Sequence, residues 1–243
     1  MEYFIYFLIT LVLSILFSMA GAGAGVAVIP ILHMIGVDFN LAKAVGLFGG
    51  FITTFTSTML NLKRKVLDVK FAFPLALALL IFAPLGAQLS RFVDESLVKA
   101  LFAFFLIFSA SMMLFFKREP KAHFQKAWIL GVLGIFVGTV AGLLGVGGGN
   151  MLLPLLVLLG FEPKKVAVAV SFVVPFSAFS SFLSYASFVK MDYLMLFSVA
   201  FGALIGAYIG NHILHVKLTQ KQIKKVIAVI LYMLAVKLIF SLI

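Results

Sequence analysis

Long apolar runs alternate with short polar ones along the whole chain. Apolar segments fall at 3–20, 24–36, 41–61, 71–90 and 97–116, then, beyond a basic stretch from Lys117 to Lys126, at 128–144, 149–160, 165–187, 193–214 and 223–242. At a rise of about 1.5 Å per residue, eight of these are long enough to cross a hydrocarbon core roughly 30 Å thick. The second segment of each set, 24–36 and 149–160, is too short to do so. These two are predicted as half-helices or re-entrant segments. The short alternating stretches of an outer-membrane barrel are lacking. The pattern therefore predicts an all-α polytopic membrane protein with eight to ten membrane segments.

A cluster of glycines precedes each short segment. Gly21-Ala22-Gly23-Ala24-Gly25 is followed by Pro30, and Gly145-Val146-Gly147-Gly148-Gly149-Asn150 by Pro154. The two clusters are 124 residues apart, and the same offset pairs Gly36 with Gly160, Asp68 with Asp192 and Gly86 with Gly210. One residue is then inserted, so that Val98-Lys99 aligns with Ile223-Lys224. One gap-free offset over so many positions points to duplication. The expected domains are a first membrane repeat over 1–116, a basic linker over 117–127 and a second repeat over 128–243. Each repeat holds a Gly-broken helix pair and three spanning helices.

Charge orients the repeats. The formal net charge is +11, and 14 of the 19 Lys and Arg lie in loops 62–70, 117–127, 161–165 and 215–225. If the first two segments of each half make no net crossing, those loops share one side and the repeats are inverted. The positive-inside rule favours that reading over parallel repeats. It predicts a multi-pass protein of the cell membrane, with the basic loops cytoplasmic and both termini outside. The same distribution argues against nucleic acid as the partner of the positive charge. The first apolar run carries Glu2 and no basic residue at its start, so it is expected to be a retained membrane segment rather than a signal peptide.

Composition narrows the chemistry. Of 243 residues, 64% are hydrophobic and 11% charged, against about 25% charged in a soluble domain. Cysteine is absent, which excludes disulfide and thiol chemistry. No His, Asp or Glu cluster has metal-ligand spacing, so neither metal nor cofactor is expected. The membrane region offers no nucleophile with an acid–base partner, so no catalytic residues are assigned and an enzyme is not expected.

What the pattern does offer suits an anion. Unpaired N–H groups at a helix start carry partial positive charge, and glycines let a ligand approach the backbone. Gly21, Gly23, Gly25, Gly145, Gly147, Gly148 and Gly149 are therefore candidate substrate contacts, joined by the Asn150 amide. Thr53, Thr56 and Ser57 share one helix face and recur at the repeat offset as Ser177, Ser180 and Ser181. A competing reading has each hydroxyl bonding back to its own helix, but duplication of the whole stripe favours a lining role. Pro175 is expected to kink the helix near the stripe. Asn61 and Tyr185 occupy equivalent positions farther along, where they could close one end. All eight acids fall in loops or at segment ends, which leaves a cation without a counter-charge at the midplane. His33 has no repeat counterpart, and an interfacial place is expected for it. Gly202, Gly206 and Gly210, spaced by four, fit close helix packing instead.

With these residues in view, the chain resembles the sulfite exporter TauE/SafE family, also called the toluene-sulfonate uptake permeases. The resemblance rests on Gly145-Val146-Gly147-Gly148-Gly149 with Pro154, on Gly21–Gly25 with Pro30, on Asp192 opening a later helix, and on Gly202 to Gly210. It implies a secondary transporter of sulfite, sulfonates or other small organic anions, working by alternating access around the glycine breaks. An anion or weak-acid channel on the same scaffold is the alternative. It also implies a Thr-Ser pair after each half-helix. Half one has Gly46-Leu47 there and half two retains only Ser171, which joins the candidate contacts. The expected partners are a small anion and the lipid bilayer, with a homo-oligomer left open.

Overall fold

A computed structural model describes residues 2–19, 22–115, 127–159, 161–214 and 220–240. These form ten α-helices: α1 (Glu2–Met19), α2 (Gly25–Met34), α3 (Phe39–Lys63), α4 (Val69–Leu89), α5 (Glu95–Phe115), α6 (Ala127–Leu144), α7 (Gly149–Leu158), α8 (Pro163–Ala186), α9 (Tyr193–Leu214) and α10 (Gln220–Phe240). The linker 117–127 lies, Ala127 apart, outside the described residues. Among the described residues, six helices are long and apolar enough to cross a membrane: α1, α3, α4, α5, α8 from Lys165, and α9. The protein is an all-helical, multi-pass membrane protein.

The acids at segment ends have a local cause. Asp38 Oδ1 accepts from the N–H groups of Asn40 and Leu41 at 3.0 Å, which caps α3. Asp68 accepts from Phe71 N at 3.2 Å, Asp94 from Ser96 N at 2.8 Å, and Asp192 from Met195 N at 3.1 Å. Each starts a helix by occupying donors that would otherwise face lipid or protein unpaired. His33 ends α2, its Nδ1 3.1 Å from the carbonyl oxygen of Val37 and its ring tilted on Phe39.

Small residues set the closest packing. α6 lies along α4, and α1 along α9. A β-carbon on Gly142 would overlap the Ala83 carbonyl, and one on Gly86 the Thr139 carbonyl. On the other pair, Gly202 faces the Phe7 carbonyl, Gly206 that of Leu11 and Gly210 that of Ile15. At one more equivalent site Ser18 Oγ donates to the Ala207 carbonyl at 3.2 Å, where Gly142 meets Ala83 in the other pair. Without a hydrophobic force between helices in lipid, such close backbone approach is what holds them together.

The pairings recur when the halves are exchanged. α2 packs on α3 as α7 does on α8, α4 on α8 as α9 does on α3, and α10 on α2 as α5 does on α7. α3 and α8, which are repeat equivalents, pack on each other in opposite directions. Phe48 meets Phe182 and Phe51 meets Phe179 near the crossing, while Thr58 and Asn61 reach back to Ser171. Large apolar side chains left exposed also recur by repeat: Phe73 with Phe197, Leu77 with Phe201, and Phe104 with Val229. An apolar surface of that extent suits acyl chains rather than water.

Candidate functional site

The two short helices begin inside the bundle and end at its surface. α2 and α7 have ten residues each, about 15 Å, or half a hydrocarbon core. Residues 22–30 and 145–149 are buried, whereas Met34 at the end of α2, Ile35 and Gly36 beyond it, and Glu162 beyond α7, are exposed. Neither helix start has a side-chain cap. Gly21 lies outside the described residues, as does the side chain of Asn150.

The two breaks have different backbones. Gly145, Gly147 and Gly148 take φ of +76°, +70° and +71°, the left-handed region that glycine enters without strain. In the first break Ala24 stands where the second has Gly148, and its φ is −67°. That break is built by close approach instead: a β-carbon on Gly25 would stand 2.5 Å from the Gly46 carbonyl oxygen of α3. Gly149 occupies the matching place against Val174 of α8. Gly23 lies against Gly50 and Thr54 of α3, and Gly147 against Ala178 of α8.

Most of the candidate hydroxyls donate within their own helix. Thr53 Oγ1 is 2.8 Å from the Gly49 carbonyl oxygen and 3.1 Å from Ser14 Oγ of α1. Thr56 donates to Ile52 O at 2.8 Å, Ser57 to Thr53 O at 3.0 Å and Ser180 to Ser177 O at 3.2 Å. Two of the stripe differ. Ser177 Oγ, 3.0 Å from the Val174 carbonyl oxygen of its own helix, also stands 2.7 Å from the carbonyl oxygen of Gly147, inside the second break. Ser181 Oγ is buried with no hydrogen-bond partner. Ser171 accepts from Asn61 Nδ2 at 3.0 Å on its hydroxyl and from Thr58 on its carbonyl.

Asn61 and Tyr185, though repeat equivalents, stand at opposite ends of the α3–α8 pair, because those helices run antiparallel. Tyr185 OH lies 3.1 Å from Gly142 O and 3.0 Å from Leu143 O. It thereby satisfies carbonyls at the end of α6, just before the second break. At the other end Arg64 Nη1 donates to Asn211 Oδ1 at 2.6 Å, linking α3 to α9.

The residue that sequence reasoning passed over is Lys43. It sits one turn into α3 and is only 1% exposed. Its ammonium donates to Ser90 Oγ at 2.7 Å and lies over the rings of Phe39 and Tyr185, 4.8 and 5.0 Å from their centroids. Its stem lies against Gly145: a β-carbon there would come within 2.8 Å of Lys43 Cβ and Cγ. Beside it opens a cavity of 280 Å³ lined in part by Asn40, Ser90, Arg91 and Phe188. The signal available in the sequence was a lysine inside a run that is otherwise apolar.

A glycine-broken pair of half-helices, buried within a duplicated bundle of lipid-facing helices, is a transporter architecture. The family description "Sulfite exporter TauE/SafE" matches residues 6–238. The chain belongs to the TauE/SafE family. It is 32% identical over 186 residues to a probable membrane transporter protein of Methanocaldococcus jannaschii, covering 72% of this chain and 68% of that one. It is 26% identical to the probable membrane transporter protein YunE of Bacillus subtilis, over 99% and 98% of the two chains. A 61-residue stretch is 38% identical to sulfite exporter TauE/SafE family protein 1 of Arabidopsis thaliana, covering 25% and 14%. No solved structure matches the chain. The protein is thus a membrane transporter of the TauE/SafE family.

Proposed function

We propose that this transporter is a permease for small sulfur-containing or organic anions, such as sulfite or sulfonates, and that it works by alternating access. Its repeats, 1–116 and 128–243, are inverted, with the linker 117–127 and the other basic loops cytoplasmic and both termini outside. The observation that carries the reading is that two ten-residue helices start, without a side-chain cap, within the buried core. Their first N–H groups supply partial positive charge to an anion without a counter-ion to displace. Gly21, Gly23, Gly25, Gly145, Gly147, Gly148 and Gly149 let it approach. Asn150 and the unpartnered Ser181 add side-chain donors, and Thr53, Thr56, Ser57, Ser171, Ser177 and Ser180 shape the α3 and α8 walls.

The two ends of the α3–α8 pair support alternating access. Asn61, Thr58 and Ser171 seal one end, together with the Arg64–Asn211 hydrogen bond. The other end holds the Lys43 cavity. Rocking one repeat against the other exchanges which end is closed.

Counterflow tests this reading. Purified protein is reconstituted into vesicles preloaded with unlabelled sulfite or ethanesulfonate, and labelled anion is added outside. We expect transient, saturable accumulation, reduced roughly tenfold in Asn150→Leu, the loss of one charge-assisted hydrogen bond or more, with the detergent-solubilised variant still folded. Uptake equal to that of protein-free vesicles rejects transport of these anions. Flux that neither saturates nor shows counterflow assigns a channel instead.

A further inference from the structure

We propose that the cavity beside Lys43 is an anion-binding vestibule, and that it takes a small organic anion, one charged head with a short apolar substituent. The inference deepens the transport reading above and rests on it for the vestibule's purpose, though not for binding itself.

The first argument is the state of Lys43. An ammonium has three donors, and Ser90 Oγ engages one of them. Lys43 forms no ion pair with a described carboxylate. The neighbouring acids are already occupied. Asp38 caps α3, Asp94 caps α5, and Glu95, on the cavity wall, is held by Lys99 at 2.7 Å. A buried cation is costly unless it is paired, and the two aromatic rings offset only part of that cost. Arg91, exposed at the mouth, also forms no ion pair among the described residues. Its nearest hydrogen bond is a long one to Gln88 Oε1 at 3.4 Å, and its guanidinium lies over Phe188. The cavity lining therefore holds two cations, Lys43 and Arg91, without a direct ion pair to a described carboxylate, and one carboxylate, Glu95, that Lys99 pairs.

A structural role for Lys43 would be to complement the negative end of α6, which closes just before Gly145. The ammonium, however, donates to the Ser90 hydroxyl and reaches no α6 carbonyl. Those carbonyls are met by Tyr185.

The second argument is shape. Asn40, Lys43, Ser90, Arg91 and the Lys99-paired Glu95 form the polar wall, and Val93, Val98 and Phe188 the apolar one. A volume of 280 Å³ lies at the small end of ligand pockets, which run from about 300 to 1,000 Å³. A head on Lys43 and Ser90 leaves room for a few carbons against Phe188. The third argument is position. The Lys43 stem packs on Gly145, so an anion at the ammonium stands one side chain from the second break.

The test is calorimetric titration of the full-length protein in detergent with sodium ethanesulfonate and with its uncharged analogue ethyl methyl sulfone. We expect saturable binding of the sulfonate and none of the sulfone. Lys43→Gln and Arg91→Gln should each weaken the sulfonate roughly tenfold, and Lys43→Arg should largely restore it. Arg91 is exposed, so Arg91→Gln decides the matter should Lys43→Gln fail to fold. Sulfonate binding unchanged in the folded variants, equal binding of the sulfone, or no binding at millimolar concentrations overturns the vestibule. Unchanged binding with intact counterflow sinks the vestibule and leaves transport standing. Binding lost in the variants, with no counterflow by the wild type, does the reverse.

Discussion

Gly131, in the second turn of α6, and Gly145, in the second break, should respond oppositely to alanine. Gly131 has a helical backbone and nothing within 4 Å of a β-carbon. Gly131→Ala should stabilise by about 0.5–1 kcal/mol through helix propensity alone. Gly145 has φ of +76° and the Lys43 stem in the way. Gly145→Ala should cost about 1–2 kcal/mol for the left-handed backbone, and more for the displaced lysine. Thermal unfolding in detergent should therefore show a midpoint raised or unchanged for the first and lowered for the second. A lowered Gly131→Ala with an unaffected Gly145→Ala would contradict this account. The break itself was legible in the sequence, because few helices tolerate four glycines in five positions. Lys43 was not. A lysine near a segment start ordinarily snorkels to the interface. What buries this one is the end of α4 at Ser90, the end of α8 at Tyr185 and the ring of Phe39, and no local pattern announces that meeting.

Elements were easier to read than contacts. The short segment expected at 24–36 is α2 at Gly25–Met34, and that at 149–160 is α7 at Gly149–Leu158. Hydropathy overshoots at their C-terminal ends because the residues that follow them, Ile35 after α2 and Leu159 after α7, are themselves apolar. The glycine stripe of α9 packs on α1, as its spacing of four implied. The counterpart stripe, Gly134, Gly138 and Gly142 of α6 against α4, is equally regular but is less conspicuous in a glycine-rich run. The hydroxyl stripe illustrates the limit. Its periodicity fixes a face, yet only coordinates separate Thr56, which bonds to Ile52 O, from Ser177, which reaches the Gly147 carbonyl. The α4–α6 contact carries a prediction at this scale. Gly142→Leu forces a side chain into the Ala83 carbonyl, so the helices must separate. A cost of several kcal/mol, about 3 or more, should appear as loss of the monodisperse peak in detergent gel filtration. Gly131→Leu, on the same helix but facing open space, should elute as the wild type does.

Over the whole molecule, inversion of the repeats is the arrangement on which alternating access depends. Two independent features favour it. Basic loops fall on one side under that topology, and α3 and α8, equivalent in the duplication, cross antiparallel. Parallel repeats would send equivalent helices through the membrane in the same direction. The distinction can be measured directly, because the chain has no native cysteine and each introduced thiol reports alone. Val66, 53% exposed, follows α3, and Lys190, also exposed, lies at the equivalent place after α8. Val66→Cys and Lys190→Cys, in cells treated with a membrane-impermeant maleimide, should therefore label oppositely: Lys190→Cys from outside, Val66→Cys only after the membrane is opened. Lys165→Cys, at the start of α8, should behave as Val66→Cys does. Equal labelling at 66 and 190 would mean that equivalent loops share a side. The two repeats would then not be inverted about the midplane, and the rocking motion proposed above would lose the symmetry it depends on.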